Sequence, residues 1–347
     1  MEGTLELMTS DLVEWGLDHL SRGEIPPGVR LARVVRVDRG ECDVITAAGR
    51  VRVLSDSQRS QDEVAPVTGD WVEVHDEDGL GEVIERVLER RTQVSRRDPA
   101  ERDLEQVLAA NVDLVGVVHG LDRPLPPGRL ERLLVIAAHS GARTVVILTK
   151  GDLAGDDSTE SIVRSVAGDL PVMVTSAVDG SGLEELSAMI GAGRVLALIG
   201  ASGVGKSALV NAIVGHEVVD TGEVREKDAK GRHTTTAREL VLLPNGAGLI
   251  LDTPGIRAIG LWEAEHALGL VFGDLVELAD HCRFRDCTHS AEPGCALVEA
   301  MSEGTADPNR VERFRALGEE LSAQRRREEE RARRNEKAGG RRGRRRR

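Results

Sequence analysis

Three rhythms of apolar and polar residues follow one another along the chain. Between Val29 and about Arg91 the apolar positions alternate in short runs, RLARVVRV, CDVITAAG, RVRVLS, GDWVEVHD and GEVIERVL, punctuated by Gly and Asp. Alternation of this kind marks strands with one buried face, and five short strands in succession predict a small antiparallel barrel of the OB type, with an SH3-like barrel as the alternative. From about Ala109 to Gly260 the rhythm changes to β-branched runs, such as NVDLVGVVHG and RTVVILTKGD, separated by helical stretches such as RLERLLVIAAHSG. Continuous apolar strands between helices predict a parallel sheet covered on both faces. After Leu261 the pattern turns helical, passes through HCRFRDCTHSAEPGC and ends in a charged helix, RVERFRALGEELSAQRRREEERARRN. Ahead of the barrel, Leu12, Val13, Trp15 and Leu20 suggest a short amphipathic helix, followed by a loop ending Pro26-Pro27-Gly28. The expected organisation is multi-domain: an extension over 1–28, a barrel over 29–95, an α/β domain over 96–262, a helical domain over 263–335 and a tail over 336–347.

Composition narrows the picture. At 347 residues the chain exceeds one average domain. Hydrophobic residues make up 40% but aromatics only 2%, so any core is aliphatic. Trp71, alone among aromatics in the barrel segment, is expected in the core rather than as a stacking platform for bases; a barrel contact with RNA would then use Arg side chains and backbone shape. A net charge of −13 excludes a protein that is basic all over, yet the chain ends GGRRGRRRR. That tail is expected to be disordered, and clustered Arg also suits non-specific contact with phosphate. No segment approaches the roughly 20 apolar residues of a membrane span, and the acidic start lacks an export signal. A cytoplasmic protein without membrane association is expected. Of four cysteines, three fall within fourteen residues, which in a reducing compartment points to metal ligation rather than disulfides. Cys42, isolated in a predicted strand, reads as an inert core thiol.

The chemistry lies in the α/β segment. Gly200, Ala201, Ser202, Gly203, Val204, Gly205, Lys206 and Ser207 match the G-x-x-x-x-G-K-[ST] phosphate loop, between a strand (VLALI) and a helix (ALVNAIVG) as that motif requires. Its backbone N–H groups would wrap phosphates, Lys206 would reach the β and γ phosphates, and Ser207 would offer its hydroxyl to Mg²⁺. Some fifty residues earlier, Thr149-Lys150-Gly151-Asp152 closes another apolar strand. Guanine presents two donors on its Watson–Crick edge, which a carboxylate accepts as a pair, so Asp152 is the candidate base reader with the Lys150 stem along the ring. Thr175-Ser176-Ala177 ends a further strand, and its small turn can bring a backbone N–H to the guanine O6. Asp252-Thr253-Pro254-Gly255 follows GLIL as a D-x-x-G element, in which Asp252 supports Mg²⁺ and the Gly255 N–H senses the γ-phosphate.

The order of these elements is unusual. In most guanine-nucleotide switches the phosphate loop precedes the base-reading signal, so the chain reads as a circular permutation. Between the phosphate loop and Asp252 runs a long polar stretch containing Gly231-Arg232-His233-Thr234-Thr235-Thr236; Thr234 or Thr235 could complete the Mg²⁺ shell. The residue after D-x-x-G is Ile256, which cannot orient water, so hydrolysis should be slow unless another group acts; His233 is the candidate. Cys282, Cys287, His289 and Cys295 form a three-thiol, one-imidazole set, the composition of a closed structural zinc site. Arg283 and Arg285 between them would project outward, which suits phosphate contacts and equally an ordinary solvated loop.

Together, TKGD, TSA, GASGVGKS, GRHTTT and DTPGI in this permuted order, behind a barrel and ahead of Cys-x4-Cys-x-His-x5-Cys, resemble the RsgA family of bacterial small-ribosomal-subunit biogenesis GTPases over roughly residues 29–320. The resemblance implies an OB-fold barrel, a circularly permuted P-loop GTPase domain and a zinc-binding helical domain. It implies GTP and GDP as ligands with Mg²⁺ and one Zn²⁺, and a monomer that binds the 30S subunit and its 16S rRNA during late maturation. It further implies hydrolysis stimulated by that subunit, with His233 catalytic. Thr149 stands where many members carry Asn, which would weaken the amide contacts around Asp152. Two rival readings remain at this stage: an RNA-binding adaptor of barrel and zinc domain whose nucleotide only sets conformation, and an ATPase with a coincidental TKGD.

Overall fold

The alternating segments form β1 (Arg30–Val37), β2 (Glu41–Thr46), β3 (Gly49–Leu54), β4 (Trp71–Glu77) and β5 (Gly81–Val87), which close into a barrel in the order β1-β2-β3-β5-β4. β4 returns antiparallel to β1, and β3 meets β5 in parallel at Leu54 and Val83. This closure is that of an OB fold rather than an SH3-like barrel. The computed structural model describes residues 12–17, 29–38, 40–55, 64–77, 79, 81–97, 105–126, 128–155, 158–219, 238–252, 261–262 and 264–344, with the side chains at 328, 332 and 334–344 excepted. His233, Thr234, Thr235, Gly255 and Ile256 therefore lie outside the described residues, as does most of 1–28.

Inward positions of the barrel strands, among them Val34, Val44, Val53, Val72 and Val74, form one aliphatic cluster. Each such side chain contributes about 1.5–3 kcal/mol by leaving water. Cys42 is enclosed with them, and burial pushes its thiol up to about 11, so it stays neutral and unreactive. Trp71 is core, as expected: it is buried against Leu12 and Leu17 and covered by the Arg33 guanidinium, 4.9 Å from the ring centroid. Residues 12–17, the described part of the expected amphipathic helix, are a short helical turn docked there.

β6 (Gln93–Arg97) and β7 (Glu105–Ala110) pair as a separate two-stranded sheet, so the junction expected at 95/96 falls inside β6. The apolar run from Gln106 to Gly120 contains no Gly or Pro until the glycine at 116, and the chain instead turns at Asn111, whose φ is 53°. The main sheet follows in the order β10 (Val172–Val174), β9 (Arg143–Thr149), β8 (Leu114–Gly120), β11 (Val195–Gly200), β13 (Leu249–Asp252) and β12 (Leu240–Leu242). All neighbours are parallel except the edge strand β12. Successive residues alternate between two cores: Val117, Val146, Ala197 and Leu251 face one, and Val118, Ile147, Leu198 and Ile250 the other. Helices α1 (Arg129–His139), α2 (Ser158–Ala167), α3 (Leu183–Ile190) and α4 (Lys206–Val214) cover the sheet.

The barrel touches the edge of this sheet directly. Arg36 of β1 bridges to Glu239, and the Arg50 guanidinium donates to the Glu239 carboxylate at 3.0 Å. Glu239 immediately precedes the β12 residue that pairs with Leu251, next to Asp252. Beyond Leu261 come α5 (Glu265–Val271), α6 (Gly273–Ala279), α7 (Ala296–Glu303) and the long α8 (Pro308–Arg344). α8 is tied to α1 by Arg132, which donates to both oxygens of Glu320 at 2.9 and 2.7 Å. Its last buried described side chain is Gln324. The helix nonetheless continues to Arg344, so the backbone of 336–344, expected as a disordered tail, is helical. The Glu, Arg and Ala residues that follow Gln324 are strong helix formers and sustain the helix.

Candidate functional site

Because β8, β9, β11 and β13 are parallel, their carboxyl ends emerge at one edge of the sheet. Chain order reverses between β8 and β11, and the crevice above such a reversal is where open α/β sheets bind ligands. Three of these strand ends, those of β9, β11 and β13, carry residues of the expected nucleotide site.

The phosphate loop leaves β11 and enters α4. Gly203 (φ 75°) and Gly205 (φ 98°) adopt left-handed backbone that a side chain would strain, and they turn the loop tightly onto the helix N-terminus. Backbone N–H groups at that end and the helix dipole favour an anion. Lys206 is buried and folds back onto its own loop, its Nζ donating to the carbonyls of Ala201 (2.9 Å) and Gly200 (3.3 Å). Burial lowers its pKa, and the charge of Asp252 opposes that shift. Ser207 Oγ donates to Asp252 Oδ2 at 2.7 Å. The other oxygen, Asp252 Oδ1, is buried and has no hydrogen-bond partner among the described residues. Burial accordingly raises the Asp252 pKa, against the pull of the Ser207 hydroxyl and Lys206. An unpartnered buried carboxylate oxygen beside a hydroxyl is a donor set that suits a hard divalent cation such as Mg²⁺.

The base side is built on β9 and β10. Lys150 takes a left-handed φ of 60°, and Gly151–Leu153 form a single 3-10 turn that presents Asp152. Gly151 N–H donates to Thr175 O at 3.0 Å, which fixes this turn to the strand end carrying Ser176. Ser176 Oγ donates to Asp152 Oδ1 at 2.7 Å and accepts from the Val178 N–H at 3.1 Å, so the carboxylate has a fixed direction. Ala177 opens the turn that follows. The buried Thr149 hydroxyl donates to the carbonyl of Val204, in the phosphate loop, and so ties the end of β9 to that loop.

Two residues here escape a reading of the sequence. After β8 the chain continues Leu121-Asp122-Arg123, which looks like an ordinary polar turn. In the fold the Asp122 carboxylate accepts from Lys150 Nζ at 2.8 Å and from the Arg123 guanidinium at 3.1 and 2.9 Å. Lys150 Nζ and Arg123 both also donate to Gly203 O, at 3.1 and 3.0 Å. The Arg123 guanidinium, helped by Lys150, holds the Asp122 carboxyl well below the usual carboxylate range.

A second centre lies between α6 and α7. One atom each from Cys282, Cys287, His289 and Cys295 falls within 4.8 Å of all the others. Cys282 Sγ is 3.5 Å from His289 Nδ1 and 3.9 Å from Cys295 Sγ, and Cys295 Sγ is 3.7 Å from His289 Nδ1. A tetrahedral zinc with ordinary bond lengths demands S···S edges of about 3.8 Å and S···N edges of about 3.5 Å. The donor set and its spacing therefore fit Zn²⁺. Glu292 braces the loop by accepting the N–H groups of Thr288 and Ser290, each at 2.9 Å. Arg283 and Arg285 are exposed, as expected, and Phe284 between them is exposed too.

The fold thus brings Thr149–Asp152, Ser176, Ala177, Gly200–Ser207 and Asp252 to one sheet edge and gathers the four Cys and His residues elsewhere. A phosphate-loop motif and the TKGD turn at the ends of parallel strands of one sheet, met in this chain order, define the class: a circularly permuted P-loop GTPase. The RsgA GTPase family model matches residues 87–262. "Small ribosomal subunit biogenesis GTPase RsgA" of Streptomyces avermitilis is 41% identical over 326 residues, covering 91% of this chain and 87% of that protein. Its counterpart of the same name in Methanosarcina acetivorans is 44% identical over 262 residues, 75% and 70% of the two chains. Among solved structures, YjeQ from Thermotoga maritima superposes with a TM-score of 0.61 at 27% identity, over 84% of this chain and 98% of that one. YloQ, described as a circularly permuted GTPase, shares the fold with a TM-score of 0.57 at 22% identity, over 87% and 98%. The chain belongs to the RsgA GTPase family, and it is a GTPase.

Proposed function

We propose that this GTPase acts on the small ribosomal subunit: a late-stage 30S maturation factor that contacts 16S rRNA and whose GTP hydrolysis the 30S subunit stimulates. The relatives' printed name supports the partner. The observation that carries the chemistry is the Ser207–Asp252 contact beside the phosphate loop, with its second carboxylate oxygen buried and without a partner among the described residues.

In this reading the loop from Gly200 to Gly205 cradles the phosphates and Lys206 exchanges its contacts with Gly200 and Ala201 for phosphate oxygens. Asp152, aimed by Ser176, accepts the guanine donors, and the N–H of Ala177 meets O6. Thr149, Lys150 and Gly151 hold that carboxylate in place. Ser207, Asp252 and either Thr234 or Thr235 would hold Mg²⁺, which supplies positive charge against the β and γ phosphates. Gly255 N–H would report the γ-phosphate. His233 would orient the attacking water, because Ile256 cannot. Cys282, Cys287, His289 and Cys295 would hold one structural Zn²⁺, leaving no position for a catalytic water.

The same reading assigns domains to 29–95, 96–262 and 263–335, with an extension over 1–28 and a basic tail over 336–347, in a cytoplasmic monomer. Among the described residues no helix is long and apolar enough to cross a membrane. The test is the steady-state hydrolysis of GTP and of ATP, alone and with 30S, 50S or 70S particles. Slow GTP turnover accelerated by 30S alone is expected. Equal rates with every particle would remove the 30S assignment, and equal use of ATP would remove the guanine reading.

A further inference from the structure

Lys150 occupies a narrow track. A Cβ on Gly120 would lie 3.6 Å from its Cδ, and one on Gly205 would lie 3.8 Å from its Cε. Its stem thus runs from the end of β9 across two glycines to the carbonyl of Gly203. A lysine stem has four rotatable carbons and a compact, strongly hydrated head, so nothing intrinsic keeps it on such a line. The head is held at two points, Gly203 O at 3.1 Å and Asp122 Oδ2 at 2.8 Å. Asp122 is held in turn by Arg123, whose guanidinium also reaches Gly203 O at 3.0 Å. Three side chains and one carbonyl therefore form a closed ring of charge-assisted contacts, which are shorter and stronger than neutral ones.

We propose that Asp122 is a positioning residue for nucleotide binding: it anchors the Lys150 head at the phosphate loop so that the extended stem forms the apolar floor on which the purine lies. The assignment rests on the reading of this crevice as a guanine-nucleotide site. Gly120 belongs to the same device. A Cβ there would stand 2.5 Å from Asp122 Oδ1, so only glycine leaves the carboxylate its seat. Arg123 keeps the carboxylate charged and ties the far side of the ring to the loop. None of these side chains is needed to read the Watson–Crick edge, which is the task of Asp152. Loss of Asp122 should therefore weaken every purine nucleotide equally and leave base choice intact.

The experiment measures dissociation constants of fluorescently labelled GDP, IDP and ADP for the full chain and for Asp122→Asn, Gly120→Ala and Lys150→Met, with melting of the nucleotide-free proteins alongside. IDP lacks the exocyclic amino group that one oxygen of Asp152 would accept. Asp122→Asn is expected to raise the constants for GDP and IDP by the same factor, about tenfold, with the nucleotide-free melting point unchanged. Gly120→Ala should reproduce this with the carboxylate present but displaced. In the Lys150→Met background Asp122→Asn should add nothing. Parental affinity in both Asp122→Asn and Gly120→Ala overturns the proposal, as does a loss confined to GDP or one that adds to Lys150→Met. Those results leave the guanine reading standing when the parent still prefers GDP to ADP. A parent that binds ADP as tightly as GDP overturns the guanine reading itself and this proposal with it.

Discussion

Asp252 holds a carboxylate in a buried place with one oxygen satisfied by Ser207 and the other by nothing among the described residues. Burying an uncompensated charge is unfavourable, and the raised pKa of this group is the same fact in other terms. Asp252→Asn should therefore stabilise the nucleotide-free protein, by about 1 kcal/mol, while abolishing the Mg²⁺ dependence of GTP affinity. Chemical denaturation and nucleotide titration with and without Mg²⁺ check the two halves; a destabilised variant would mean the carboxylate has a partner. His233 requires a kinetic test. His233→Ala should keep its affinity for GTP and lose about 10²–10⁴-fold of the 30S-stimulated rate, the usual contribution of a positioned acid or base. Stimulated turnover equal to that of the parent would transfer the water-orienting role to another group. Thr149 shows why residue identity alone misleads. A threonine at a strand end announces nothing by type, yet its hydroxyl donates to the carbonyl of Val204, 55 positions further along the chain.

The segment of Cys282, Cys287, His289 and Cys295 is an element that the proposed zinc would order together with its packing. Between α6 and α7 the chain from His281 to Gly294 is mostly exposed or half-buried, and only at Cys295 does it enter the interior. Glu292, Phe314 and partial packing of Cys282 and Cys287 hold this loop, and a structural zinc would add folding energy directly. Cys282→Ser, or prolonged chelation, should therefore open this segment to trypsin at Arg283 and Arg285 while leaving GDP affinity within about twofold, since no ligand residue touches the phosphate loop. Mass spectrometry of the fragments reads the first effect and nucleotide titration the second. Unchanged proteolysis would show that packing, not metal, orders the loop. This element was legible in the chain because ligand spacing is local. The β6–β7 hairpin was not, because the apolar run from Gln106 to Gly120 reads as one strand, whereas the chain turns at Asn111 and leaves β7 to pair with β6 apart from the main sheet.

Across the whole molecule the three parts share one apolar cluster, in which Val35 of the barrel, Leu134 of α1, Leu268 of α5 and Leu321 of α8 all take part. Polar ties among the described residues add to it: Arg36 and Arg50 of the barrel on Glu239 beside β12, Thr68 on the Arg238 carbonyl, Arg132 of α1 on Glu320 of α8 and Arg313 of α8 on Glu131 of α1. Burial fades along the far half of α8, whose described side chains past Gln324 are exposed or half-buried. A chain ending at Arg333 should accordingly match the parent in stability to within about 0.5 kcal/mol. It should also bind RNA with a shallower salt dependence, by about 0.7–0.9 in the log–log slope for each phosphate that the basic end would otherwise neutralise. Identical slopes would make that end a spectator. The alternating barrel strands, the parallel sheet, the permuted order of the nucleotide elements and the zinc ligands were all readable from the chain, because each depends on period, spacing or residue type over short distances. The hold of Thr149 on Val204 and the ring of Asp122, Arg123 and Lys150 around Gly203 were not. The side chains of that ring join strand ends 28 to 80 positions apart, and only a folded sheet brings such residues within hydrogen-bonding distance.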